Sequence, residues 1–384
     1  MSEALGATPG DSAPAGLYVH VPFCLTRCGY CDFNAYAGLD ELKPRYLRAL
    51  MTEAALAAPA WSGVEFVSVF LGGGTPTTIL PADLGSLLEH LRDRFVLSQD
   101  AEITTEANPD TVDRESLGAL LGAGFGRLSM GAQSFDPAVL ASLERLHGPD
   151  SVRRAFSAAR AAGYSNVNLD LIYGAQGETI GSWERTLRET IALAPEHISA
   201  YALTVEPATP LGRAIAAGEA PVPDPDLQAD MFGLACELLG GEGYRHYEIS
   251  NWAKPGYECR HNLGYWERRP YLGLGAGAHS YRDDARWWNL RPPLEYMETV
   301  DRGELPIGGA ESLEPKDAYL EEVFLRLRTL EGIPSSWVDD DRAAPFIQSG
   351  LLVDDLGSLV PTERGMLLLN ELVLALAGDE PYRT

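Results

Sequence analysis

The sequence predicts an α/β protein: an open, partial (β/α)6 barrel followed by a small C-terminal winged-helix-like α+β domain. Three observations carry that expectation. Six short, nearly continuous apolar runs rich in β-branched residues recur between residues 17 and 205, as strands buried in a parallel sheet do. Helix-like stretches separate them, which favours right-handed crossovers. Past residue 310, a helix, a hairpin pattern and a second apolar helix close the chain.

The expected strands are 17–23, 64–71, 101–107, 126–133, 166–172 and 197–205. Helices are expected near 40–58, 81–94, 113–122, 136–162 and 179–194. Several open on a proline suited to a first turn, as in Pro81-Ala-Asp and Asp136-Pro137. In such folds chemistry gathers at the C-terminal ends of the strands. A helix near 224–240 precedes an aromatic, Gly-rich stretch, 244–290, with little regular periodicity. Helix returns at 314–330, residues 351–362 read as a hairpin, and 363–377 as an apolar helix. No internal repeat of solenoid period is visible. The domain expectation is a disordered tail over 1–16, the barrel over 17–297 with 244–290 as its ligand region, and the C-terminal domain over 298–384.

Composition narrows the classes. With 384 residues, 45% hydrophobic and 22% charged, the chain has the make-up of an ordinary globular protein of more than one unit. A net charge of −25 argues against a nucleic-acid partner, whose phosphates need clustered Lys and Arg. Residues 311–384 hold fifteen Asp/Glu against six Lys/Arg, so the winged-helix pattern does not predict DNA binding. Charge also disfavours adhesion to an anionic membrane, leaving peripheral contact at most. No apolar run approaches the ~18 residues of a spanning helix. Residues 1–16 lack the basic start and apolar stretch of a secretory signal, so a cytoplasmic location is expected.

Five cysteines is an odd number, and three crowd into eight positions: Cys24-Leu-Thr-Arg-Cys28-Gly-Tyr-Cys31, directly after the first strand. That suits a metal centre in a reducing compartment rather than a disulfide framework. Zinc sites generally use paired C-x2-C units and four ligands, and no matching pair occurs. Three thiolates on a four-iron cubane leave one iron open to another ligand. C-x3-C-x2-C with an aromatic before the last Cys resembles the signature of the radical S-adenosylmethionine (SAM) superfamily. The resemblance implies a [4Fe–4S] cluster on Cys24, Cys28 and Cys31, with SAM on the open iron. Cleavage of SAM by a cluster electron would then yield a 5′-deoxyadenosyl radical. Cys236, at helical spacing in FGLACELL, reads as a buried small hydrophobe. Cys259 reads as a bystander or as a ligand for haem or iron.

The strand ends add polar groups. Leu71-Gly72-Gly73-Gly74-Thr75-Pro76 ends the second strand, where glycines let backbone approach a ligand closely. Glu106 follows the third strand, Gln133 ends the fourth, Arg145 lies on the next expected helix, and Asp170 falls inside the fifth strand. Polar residues beside apolar strands invite a ligand explanation, although each taken singly also suits a surface or cap.

Longer pieces carry a closer resemblance. Tyr18-Val-His20-Val-Pro-Phe-Cys24, Gly72 to Pro76, Gly131-Ala-Gln133-Ser-Phe135, Asp170-Leu-Ile-Tyr-Gly174 and Gly273-Leu-Gly-Ala-Gly-Ala-His279 look like the family of oxygen-independent coproporphyrinogen III oxidases and their haem-chaperone relatives. By that resemblance Tyr18 and Tyr30 pack near the cluster and SAM. Gly73, Gly74, Thr75, Glu106, Gln133, Arg145, Asp170 and Ala202 contact SAM. Arg145 would pair with the methionyl carboxylate, and Gln133 and Asp170 would hold the ribose.

Two features divide the branches. The oxidases carry a further Cys two positions past the third ligand, where this chain has Phe33, and a longer N-terminal arm. Conversely, His261-Asn-Leu-Gly-Tyr265-Trp266 resembles the HNxxYW motif of the haem chaperones. On this resemblance His261 would ligate haem iron, with Tyr265 and Trp266 as flat apolar neighbours in the haem region 244–290. His279 is a second candidate ligand and His20 a weaker one. The resemblance implies a haem chaperone that delivers haem to apo-haemoproteins. Its alternative is SAM-dependent oxidative decarboxylation of coproporphyrinogen III, and a third class is a radical enzyme with an unrelated substrate. Flavodoxin or ferredoxin would serve as electron donor if SAM is cleaved, and the resemblance leaves room for a homodimer.

Overall fold

The fold was analysed in a computed structural model, which describes residues 13–377. Six strands run parallel in chain order: β1 (Ala15–Val21), β2 (Glu65–Gly73), β3 (Val96–Ala107), β4 (Arg127–Gln133), β5 (Val167–Tyr173) and β6 (His197–Ala202). Beyond β6 the sheet continues antiparallel with β7 (Arg245–Glu248) and β8 (Asn251–Ala253), in the order β6-β8-β7. On the far side of β1 a further parallel strand, β9 (Tyr271–Leu274), is followed by antiparallel β10 (His279–Arg282), β11 (Ala285–Asn289) and β12 (Ile307–Ser312). The two ends of this twelve-stranded sheet do not pair with each other, so the barrel stays open.

Within the strands, apolar residues alternate with small or polar ones rather than filling both faces. Leu128, Met130, Leu169 and Leu171 meet Phe156, Trp183 and Met231 of the helical layer. Ser129, Asn168 and Ser199 are also buried, on the opposite side, facing the barrel interior. A second core packs Tyr46, Leu50, Leu84 and Leu87, from α1 (Lys43–Ala57) and α2 (Pro81–Arg94), on Leu17, Val19, Val69 and Leu71. Each such side chain contributes about 1.5–3 kcal/mol on burial.

The remaining barrel helices are α3 (Arg114–Ala123), α4 (Pro149–Ala162), α5 (Ile180–Leu193) and α6 (Pro225–Gly241). Asp113 and Thr179 cap the first turns of α3 and α5 by accepting from Ser116 N and Ser182 N. The helix expected over 136–162 is two: a short helix Pro137–Ser142, capped by Asp136, and α4. Gly148 before Pro149 supplies the break, because proline starts a helix and cannot continue one. Arg145 therefore sits in the connection and not on a helix.

Two expected boundaries move. Of the tail expected over 1–16, residues 1–12 lie outside the described residues, while Ala15 and Gly16 already belong to β1. The expected division at 297/298 falls inside α8 (Pro293–Asp301), whose Tyr296, Met297 and Val300 pack in the barrel core, and β12 then pairs with β11. Past Ser312 a separate core forms around Val323, Leu327, Ile333, Leu352 and Leu372. It holds a three-stranded antiparallel sheet, Ile333–Pro334, Ser358–Pro361 and Leu352–Asp355, with helices on either side. This is the winged-helix-like α+β unit, and Ile249 N donating to Arg328 O helps tie it to the barrel. The apolar helix expected over 363–377 is two, Glu363–Met366 and Leu369–Ala377. The aromatic stretch 244–290 forms β7 to β11 and a short helix, α7 (Arg260–Trp266).

Candidate cluster and cofactor site

The first strand delivers its cysteines to the barrel mouth. Gly74 N donates to Val21 O at 2.8 Å and Thr75 N to Phe23 O at 2.7 Å, so the end of β2 grips the chain just before Cys24. A Cβ on Gly74 would lie 2.6 Å from the Phe23 carbonyl oxygen, which is why only glycine fits. Gly73, at φ 110°, holds the left-handed region, with a Cβ position filled by the His20 ring. His20 itself is buried, its Nδ1 within 2.9 Å of Tyr18 Oη and its Nε2 within 2.9 Å of Asn34 O, so it packs under this turn.

Cys24, Cys28 and Cys31 line one cavity of about 370 Å³ together with Tyr30, Gly73, Gly74, Thr75, Glu106, Gln133, Arg145, Asp170 and Ala202. Every residue expected at SAM except Tyr18 is there. Tyr18 lies deeper, its ring centroid 6.4 Å from those of Phe70 and His261, which stack on each other at 5.2 Å. Among the described residues no three His, Cys, Asp or Glu side chains converge on a single ion. The three thiols sit on one eight-residue loop and line one cavity, a donor set that suits an iron–sulfur cluster with one iron left open. Burial pushes the Cys24 and Cys31 thiols up, so their thiolate forms need the positive charge that iron supplies.

The polar rim follows strand by strand. Glu106 accepts from Gly73 N at 3.0 Å, and burial beside Asp170 pushes its carboxyl up to about 8. Asp170 accepts from Ser129 Oγ at 2.9 Å and Asn168 Nδ2 at 2.8 Å, and burial raises it as well. Gln133 takes φ 64°, a left-handed conformation at a β-bulge where β4 slips against β5. A bulge re-aims a side chain, and such backbone strain concentrates at binding sites. Arg145 reaches across the connection after the short helix: Nη2 donates to Asn108 Oδ1 at 2.5 Å and to Gly131 O at 3.2 Å. Its Nε is buried without a partner among the described residues, a donor left for an anionic group.

Sequence reasoning missed Asn108. It orients Arg145 and also donates from Nδ2 to Thr75 Oγ1 at 3.0 Å, and Thr75 Oγ1 lies 3.6 Å from Cys24 Sγ. A polar residue just past a strand and before Pro109 was the available signal.

Of the expected haem set, His261 and Tyr265 are brought together and Trp266 is turned away from them. His261 is buried inside the barrel: its Nδ1 lies 2.8 Å from Ser68 Oγ and its Nε2 3.0 Å from Tyr265 Oη. Both ring nitrogens are engaged, and burial lowers its pKa to about 3. Trp266 faces Arg328 of the C-terminal unit instead, 6.0 Å from its ring centroid. Cys259 is fully buried and donates to Glu102 Oε1, and Cys236 is buried among the apolar residues of α6, as expected for a small hydrophobe. His279 alone of the candidate imidazoles is exposed, stacked on Trp288 with centroids 5.7 Å apart. Phe33 is 64% exposed at the mouth of the cavity, beside the cluster loop.

With this geometry in place, comparisons give consistent findings. The model of the radical SAM superfamily matches residues 18–190, and that of the HemN C-terminal domain matches 313–368. A Mycobacterium tuberculosis protein named heme chaperone HemW is 42% identical over 382 residues, covering 98% of both chains. The Escherichia coli protein of that name is 36% identical over 94% of this chain and 97% of its own. The solved structure of coproporphyrinogen III oxidase (HemN) from Escherichia coli superposes with a TM-score of 0.84 and 26% identity, covering 98% of this chain and 92% of that one.

Proposed function

The chain belongs to the HemW family of the radical SAM superfamily, and from that footing we propose that it binds haem and passes it to apo-haemoproteins. The observation that carries this reading is full-length likeness to haem chaperones at 42% identity. A [4Fe–4S] cluster and SAM accompany that function, and the residues present fit both. Cys24, Cys28 and Cys31 hold the cluster, and the amides of Gly73, Gly74 and Thr75 are already bonded within the chain, which leaves carbonyls to receive the methionyl ammonium. Arg145 offers its unpartnered Nε to the methionyl carboxylate, while Glu106, Gln133 and Asp170 offer oxygens to ribose hydroxyls. When bound, the cluster would supply one-electron chemistry on SAM; the chain's contribution is to hold SAM beside it in the shared cavity.

For haem, the ligand we favour is His279, the exposed imidazole, in place of His261. Phe33 supplies an exposed apolar face at the mouth of the cluster cavity. A cytoplasmic location, an electron donor of flavodoxin or ferredoxin type, homodimerisation and the absence of a nucleic-acid partner belong to the same proposal. No helix among the described residues is long and apolar enough to cross a membrane.

Oxidative decarboxylation of coproporphyrinogen III is the second reading, favoured by the superposition on HemN. Phe33, at the position where the oxidases have a cysteine, speaks against it. One experiment separates the two. Anaerobically reconstituted protein with SAM, reductant and coproporphyrinogen III should leave the porphyrin mass unchanged, and titration with haem should give a ligated Soret band. Protoporphyrinogen formation without a haem spectrum would replace the chaperone with the oxidase.

A further inference from the structure

Beside the cluster cavity the barrel holds a second, partly open one of about 180 Å³, with room for several water molecules. Arg127, Asn168, Ser199, Asn262 and Tyr265 line it, and Glu106, Ser129, Asp170 and Tyr201 belong to both cavities. Arg127 is only 2% exposed. Its Nε is buried with no hydrogen-bond partner among the described residues. Asp170, in the same cavity, is already engaged by Ser129 and Asn168. Glu102 and Asp170 lie near enough for their charges to favour the guanidinium, but Glu102 spends its oxygens on Cys259 Sγ, Arg260 N and His261 N and makes no direct bond to Arg127.

A buried guanidinium stays charged, and its desolvation costs several kcal/mol unless something answers it. Its flat donor fork matches a carboxylate. We propose that the inner cavity is a carboxylate subsite with Arg127 as its charge partner, sized for a propionate group and too small for a macrocycle. Glu106 does not repel such an anion near neutral pH, since burial keeps its carboxyl protonated up to about 8. The walls shared with the SAM cavity put the bound carboxylate beside the ribose-binding residues. The carboxylate comes either from a haem propionate, a source that rests on the chaperone reading, or from a free short-chain acid, which does not.

The test uses the full-length reconstituted protein with SAM, and two probes. Calorimetry compares haem with haem dimethyl ester, whose propionates are blocked, and saturation-transfer NMR follows sodium propionate. If haem is the source, the ester binds about tenfold more weakly than haem, and Arg127→Gln removes that difference while iron content and SAM affinity stay unchanged. If a free acid is the source, haem and ester bind alike, and propionate shows a saturation-transfer signal that Arg127→Gln abolishes. Should Arg127→Gln fail to fold, the ester comparison and the propionate signal on the natural protein decide alone. Equal binding of haem and ester with no propionate signal overturns the subsite. Loss of SAM affinity in Arg127→Gln also overturns it, because the arginine would then serve SAM. A protein that binds no haem at all removes the chaperone reading and leaves the propionate signal to judge the subsite.

Discussion

Nη1 of Arg145 lies 3.5 Å from Sγ of Cys28, so the guanidinium set to face the methionyl carboxylate also touches a cluster ligand. Two effects of Arg145→Ala should therefore appear together. SAM affinity should fall by about 1.5–3 kcal/mol, the worth of a hydrogen bond to a charged group, as read by calorimetric titration. Iron content should stay, but the cluster potential should move negative in a redox titration, because a positive charge beside a sulfur favours the reduced cluster. Unchanged affinity together with unchanged potential would place the methionyl carboxylate elsewhere on the rim.

Cys24→Ala, Cys28→Ala and Cys31→Ala should each abolish the brown absorbance of anaerobically reconstituted protein, whereas Cys236→Ala and Cys259→Ala should keep iron near the natural level. Gly74→Ala should behave like the first group although it removes no ligand. Its methyl would collide with backbone at Phe23 and push the cysteine loop off β2. Iron analysis across the six variants checks the pattern; equal loss in all of them would disconnect the three cysteines from the cluster.

His261→Ala should leave the haem Soret band in place and lower stability by roughly 1–3 kcal/mol, since Ser68 and Tyr265 lose buried partners. His279→Ala should change the band without that loss. Absorption spectra and chemical denaturation of both variants decide; a Soret change confined to His261→Ala would restore the motif histidine as the ligand.

Glu53 is wholly buried, accepting from Tyr296 Oη at 2.5 Å, Gly275 N at 2.8 Å and Asn289 Nδ2 at 2.5 Å, and burial lifts it to about 7. Between the usual value of 4.5 and about 7 the folded chain holds this proton more tightly than the unfolded one. Its contribution is thus full at low pH and fades as pH rises through that window, by about 3 kcal/mol in all. Glu106 and Glu248, both lifted to about 8, act with the same sign. Buried histidines such as His261 and His246, lowered to about 3 and about 4, act with the opposite sign below pH 7, so the contribution of Glu53 is read as a difference between two proteins. In denaturant titrations from pH 5 to 8, the stability of Glu53→Gln should gain on that of the natural protein as pH rises, whatever its absolute value. A difference that stays constant with pH would mean that Glu53 is ionised in the fold.

The six barrel strands were legible because a run such as Val-Asn-Leu-Asp-Leu-Ile-Tyr (167–173) carries β-branched and apolar residues in a stretch too short for a helix. The cluster loop was legible because thiolate spacing is local. What stayed hidden is set by contacts distant in sequence. His261 meets Ser68 across 193 positions, and no local pattern tells an imidazole packed inside a barrel from one open to a metal. Arg145 lines the cavity but lies in the connection between two helices, because Pro149 can begin a helix but not continue one, and a single helix over 136–162 overlooks that break. Asn108 escaped for a third reason: its role is to hold another side chain, and only geometry shows that.

The pairing of β1 with β9 joins Leu17 to Leu272. On a growing chain, β1 can dock onto β2 once residue 73 has emerged, but its other edge waits for residues 271–274. At ~5–20 residues per second, that is an interval of roughly 10–40 s during which an apolar strand has one unsatisfied side, the condition under which strands pair with the wrong neighbour. The nascent protein should thus depend on holding factors until its last third is made. Truncation just before residue 271 should turn a well-behaved barrel into an aggregating one.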